Sequence, residues 1–340
     1  MTGEALRPWQ PGAATGIGSL PGDDPREACR LVVGELPDLP HLPELPHRGP
    51  GADMVGRSCG LLVDLHVDLQ PSGWRVVGRP GVDERRARDL LTRDLDALEE
   101  ATQGYEGPLK VQVAGPWTLA AALELTRGDK VLADPGAVRD LADSLAEGVR
   151  QHLDDVRRRV PGATLLLQLD EPSLPAVLTG SVPTASGFGA LRAVDGPDAA
   201  TLLRRALDAG EAFRVLHCCA ARPPLALMVA AGAQALSVDA AMLTGRDDDT
   251  IGGYVEAGGA LLLGLVPSTG PGAPPSPGEL VGPARALWQR LGFAPERLAQ
   301  AVVPTPTCGL AGASVGWAHT ALRLLRQIGR VLVESPEAPR

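Results

Sequence analysis

Aromatic residues are scarce, at 3% of the 340-residue chain, so Leu, Val, Ala and Ile must fill whatever core it builds. Lysine is scarcer still. Lys110 and Lys130 are the only lysines among 32 Lys and Arg, a skew that reads as codon bias of the source genome rather than a property of any site. No apolar run approaches the roughly 18 residues of a membrane span, which excludes a transmembrane helix. The stretch 1–12 lacks the charged-then-apolar layout of a secretory signal. Cysteine is limited to Cys29, Cys59, Cys218, Cys219 and Cys308, an odd and uneven set unlike a secreted disulfide framework. A cytoplasmic protein with reduced thiols is expected, and clustered Cys and His become metal or catalytic candidates. A net charge of −9 offers no dense basic surface for phosphate, which argues against nucleic acid as the main partner.

What is present is an ordinary globular composition, 44% hydrophobic and 21% charged, long enough to bury a full core. Eight short apolar runs punctuate the chain: 13–17, 41–45, 110–113, 164–169, 213–216, 235–238, 260–266 and 301–303. Several are continuously apolar rather than alternating, as parallel strands buried on both faces require. Amphipathic stretches at 82–102, 135–159, 199–212 and 283–291 lie between them. Short strands alternating with helices read as repeated βαβ units, and eight such units predict a (β/α)8 TIM barrel. No linker marks a composition change, so a single domain over 1–340 with a core near 13–330 is expected. A β-hairpin insertion is predicted at about 61–79, turning at Pro71-Ser72-Gly73. The Pro/Gly-rich stretch 266–278 is long enough for a lid over a barrel mouth.

The polar punctuation carries the functional signal. Ser19, Asp170, Glu171, His217, Cys219, Asp239 and Cys308 each follow the apolar run of their own unit. In a parallel barrel these positions converge on the mouth at the carboxyl ends of the strands. His217-x-Cys219 places two metal-binding side chains on one side of an extended segment. Asp239 and Cys308 add an oxygen and a second thiolate, making a zinc set of His217, Cys219, Asp239 and Cys308. The alternative is that the cysteines are small buried hydrophobes and His217 a satisfied core histidine. Cys218 faces the other way and reads as core. Asp170-Glu171 suits a substrate ammonium, although an acid at a strand–helix junction also caps helices. Gly16-Ile17-Gly18-Ser19 lacks the third glycine of a dinucleotide fingerprint. It suits close approach of a substrate carboxylate to backbone N–H groups. Trp117 either lines the mouth or packs a helix, and His319 reads as helix packing.

Five segments occur in order: Gly16-Ile17-Gly18-Ser19, Ala114-Gly115-Pro116-Trp117-Thr118, Gln168-Leu169-Asp170-Glu171-Pro172, His217-Cys218-Cys219 and Cys308-Gly309-Leu310. Together they resemble cobalamin-independent methionine synthase, specifically its C-terminal catalytic barrel, over roughly 13–330. The resemblance implies zinc-dependent transfer of a methyl group to a small-molecule thiol, homocysteine in the family. It implies zinc ligands at His217, Cys219 and Cys308, with Asp239 where the family has Glu. It further implies substrate binding by Ile17, Gly18 and Ser19 for the carboxylate and by Asp170, also the candidate catalytic acid, for the ammonium. Three departures stand out. The folate-binding first barrel is absent, and a family Glu before the Asp-Met-Val run has no counterpart in Gly49–Met54. A family His after the seventh strand is replaced by Gly264-Leu265-Val266-Pro267-Ser268. These departures point to a methyl-corrinoid donor on a carrier protein instead of folate. The alternatives are another thiol-alkylating or decarboxylating enzyme of the superfamily, or a non-catalytic zinc-binding barrel.

Overall fold

Six of the eight apolar runs become strands of one parallel sheet in the computed structural model, which describes residues 7–270 and 273–337. The strands are β1 (His66–Gln70), β2 (Gly73–Val77), β3 (Gly107–Ala114), β4 (Ala163–Asp170), β5 (Phe213–His217), β6 (Ala235–Asp239), β7 (Ala260–Val266) and β8 (Val302–Pro306). β1 and β2 pair with each other in an antiparallel hairpin, and β3 to β8 follow one another in sequence order across a curled sheet. Every residue of β7 is buried, and β3 and β4 are buried at all but their first two positions. Such strands need apolar side chains on both faces, which explains their unbroken Leu, Val and Ala runs.

Helices cover the outer face, and their boundaries follow local chemistry. Asp134 caps the helix Pro135–Arg159 through Gly136 N–H and Ala137 N–H, Pro135 takes its first position, and Arg157, Arg158 and Arg159 close its last turn. Its buried stripe of Val138, Leu141, Leu145, Val149, Leu153 and Val156 repeats at helical spacing against the sheet. Leu165, Leu167 and Leu169 face this outer core, whereas Leu166 joins Val215, Leu262 and Val303 in a separate inner cluster.

Two predicted strands take a different form. The segments 13–20 and 40–45 are extended but make only isolated bridges, Ser19 with Glu44 and His41 with Lys110. Thr15 N–H donates to Pro304 O, Glu44 N–H to Gly18 O, and Leu42 N–H to Lys110 O, so these segments run from β8 across to β3. Pro40, Pro43 and Pro46 remove the donors a continuous ladder would need. The hairpin is also shorter than expected, since 61–65 is not strand. The predicted lid at 266–278 includes Pro271 and Gly272, which lie outside the described residues. Among the described residues no helix is long and apolar enough to cross a membrane.

Candidate metal centre

One row of the sheet register builds the site. Ala114 pairs with Asp170, Asp170 with His217, and His217 with Ser237, so the last residues of β3, β4 and β5 line up with the middle of β6. His217 points inward with Val215. Cys218 alternates outward into the core, as its position in the sequence predicts. Cys219 turns back toward the row beyond the strand, where Cys308 arrives from the end of β8.

The metal-binding atoms of His217, Cys219 and Cys308 lie within 4.8 Å of one another. The two sulfurs are 3.1 Å apart and unbonded. His217 Nδ1 lies 3.1 Å from Ser237 O and 2.9 Å from Ser237 Oγ. A carbonyl only accepts, so Nδ1 carries the proton and Nε2 presents its lone pair. That Nε2 is buried with no hydrogen-bond partner. An orphaned imidazole nitrogen beside two thiols is the donor set that zinc accepts. The contact between the two sulfurs, with His217 beside it, holds Cys308 below the ordinary thiol range and raises Cys219.

A cavity of about 350 Å³ opens beside these ligands, walled by Ile17, Gly18, Ser19, Asp170 and Met54. Glu44 also lines it, a residue the sequence reading passed over. It stands nine residues before Asp53, in the Pro-rich segment that meets Ser19. Burial pushes Glu44 up to about 7 and raises Asp170 as well. Beneath them lies a polar layer of Lys110, Gln112 and Gln168, also missed, since each interrupts an otherwise apolar strand. Gly309 lies so close to Ser19 that any side chain there would collide with its hydroxyl.

Three predicted site residues are placed elsewhere. Glu171 is fully buried and does not line the cavity; its carboxylate accepts from Trp117 N–H at 3.0 Å and from Thr118 N–H and Oγ1 at 2.7 Å each. It caps the helix Pro116–Ala122 from the neighbouring strand, and burial outweighs those donors to push it up to about 7. Any side chain on Gly115 would strike it. Trp117 packs in the core with its indole N–H on Ala199 O, so the helix-packing alternative holds for it. Asp239 stays outside the three-ligand group, and its Oδ1 accepts from Ala241 N–H at 2.9 Å.

Residues 12–330 match the family described as cobalamin-independent synthase, catalytic domain. The chain belongs to that family. Its members are methyltransferases of the homocysteine methyltransferase kind, and this chain is one of them. Among solved structures it is similar to a B12-independent methionine synthase from Shewanella sp. W3-18-1 in complex with selenomethionine. The identity is 12% and the TM-score 0.60, over 95% of this chain and 98% of that one. No curated protein matches the sequence. A methyl-corrinoid donor and a corrinoid carrier, expected from the sequence departures, are at odds with a cobalamin-independent family. That expectation is withdrawn.

Proposed function

We propose that the chain transfers a methyl group to the sulfur of a small amino-acid thiol, homocysteine or a close relative, beside zinc held by His217, Cys219 and Cys308. The observation that carries this reading is the orphaned His217 Nε2 and paired thiols at the edge of a cavity that also holds two acids. Zinc in that donor set would favour the thiolate form of an incoming thiol at neutral pH. Three protein ligands leave room for a substrate sulfur, as in catalytic zinc sites.

The remaining work belongs to the chain's own side chains. Ser237 fixes the tautomer and ring orientation of His217. Glu44 and Asp170 face the cavity and suit the substrate ammonium, while the turn Ile17–Gly18–Ser19 suits its carboxylate. Holding both ends of the amino acid leaves the sulfur little freedom, and that restriction is a large part of the rate advantage in a transfer reaction. On this reading the extended segments 13–20 and 40–45 complete an eight-membered (β/α)8 ring around the cavity, and residues 13–330 act as one catalytic unit.

The test is direct. Purified protein should carry about one zinc per chain, as a single three-ligand site requires. It should form methionine from homocysteine and methyltetrahydrofolate with no corrinoid present. A zinc-loaded protein that binds no thiol would remove the reading.

A further inference from the structure

Lys110 is fully buried in the middle of β3, out of reach of bulk solvent. It donates to Ile17 O at 2.7 Å and to Gln112 Oε1 at 3.3 Å, and among the described residues it forms no ion pair with either cavity acid. A buried cation with no directly paired carboxylate weakens a fold relative to an apolar side chain of the same size, and here Asp170 and Glu44 act on it only through space. Its contacts show what it does instead. Gln168 Nε2 donates to the same Ile17 carbonyl at 3.0 Å and to Asp170 Oδ1 at 2.7 Å. Gln112 Nε2 donates to Glu44 Oε1 at 3.0 Å. Lys110 is therefore the hub of a branched network: one arm reaches Asp170 through Ile17 O and Gln168, and the other reaches Glu44 through Gln112.

We propose that Lys110 is a positioning residue that holds the Ile17–Ser19 turn and both cavity acids in register for the amino-acid end of the substrate. The inference rests on the reading above, because it presumes that those groups bind an amino-acid thiol. Lys110 touches neither the metal ligands nor the cavity directly. Its loss should thus be felt by a thiol that uses the amino-acid contacts and not by one that offers only sulfur.

The experiment compares homocysteine with 2-mercaptoethanol by calorimetry on zinc-loaded protein, with zinc content measured in parallel. In Lys110→Met, homocysteine should bind at least about tenfold more weakly, 2-mercaptoethanol should stay within about threefold, and zinc content should be unchanged. Wild-type homocysteine affinity in folded Lys110→Met would overturn the proposal. Parallel loss of both thiols and of zinc would overturn it too, since a merely structural lysine would behave that way. Should that variant not fold, Gln168→Leu removes the second donor to the Ile17 carbonyl and must give the same split between the thiols. Wild-type protein that binds neither thiol would instead overturn the parent reading, and this one with it.

Discussion

Cys219 and Cys308 lie 89 residues apart in the chain and 3.1 Å apart at sulfur. Their strands are not neighbours, because β6 and β7 stand between β5 and β8. The contact exists because the sheet curls, so that loops leaving the carboxyl ends of distant strands meet over one opening. Proximity of this kind costs little once the sheet has formed, which lets a candidate metal site be assembled from residues with no local propensity to be together.

The partner of His217 should matter as much as its geometry suggests. Ser237→Ala removes the hydroxyl 2.9 Å from Nδ1 but leaves the Ser237 carbonyl in place. Zinc affinity, measured by chelator competition, should fall by about tenfold. Asp239→Asn should retain zinc, because the Asp239 carboxylate is engaged with Ala241 N–H. Equal loss in the two variants would bring Asp239 into the coordination sphere.

Glu171 should prove to be a stability residue. Glu171→Ala strands the N–H groups of Trp117 and Thr118 in a buried setting and should cost about 2–3 kcal/mol in denaturant unfolding. Homocysteine affinity of the folded variant should stay near wild type. A large loss of affinity with unchanged stability would return Glu171 to the substrate site.

Asp94 joins the segment carrying Asp53 and Met54 to the helix Val82–Ala101. Its carboxylate pairs with Arg48 at 2.7 Å and with Arg57, and all three side chains are nearly inaccessible. Asp94→Ala leaves two buried guanidinium groups without a counter-charge, so unfolding free energy should drop by about 3–5 kcal/mol. A change under about 1 kcal/mol would mean the arginines find water instead.

Acid should weaken the fold through His152. Burial holds this side chain near 3, far below 6.5, with Arg57 opposing its protonation and Asp155 favouring it. Between those values the unfolded chain binds the proton and the folded chain does not, so stability is full above about 6.5 and declines as pH falls toward 3. Denaturant midpoints across that range should fall in wild type and fall less steeply in His152→Leu. Identical slopes would show that other groups set the acid limit.

Much of this was legible in the sequence because it depends on short-range chemistry. Buried parallel strands demand unbroken apolar runs, so the runs behind β3 to β8 announced themselves. The helix Pro135–Arg159 begins and ends where its cap, proline and terminal arginines say it should. The two-residue period of a strand by itself separates inward His217 from outward Cys218. Of the four candidate ligands that each follow an apolar run, His217, Cys219 and Cys308 come together as a possible metal-binding group and Asp239 does not.

What tertiary structure decided was which of several chemically equal groups faces the cavity. Asp170 and Glu171 are adjacent acids, but alternation sends one toward the cavity and the other toward the N-terminus of a helix that belongs to the preceding strand. Glu44 sits within the Pro-broken run 41–45, whose pattern gives no sign that this acid faces the site, and its bridge to Ser19 is what brings it there. Lys110 looked like a residue of codon bias, since nothing local reveals that a lysine inside an apolar run lies beneath two acids. Local sequence determines conformation and the face a side chain takes, through sterics and hydrogen bonds between near neighbours. Which distant groups then share an enclosed space depends on how the sheet curls and what its loops close over, and that is set only when the whole chain packs.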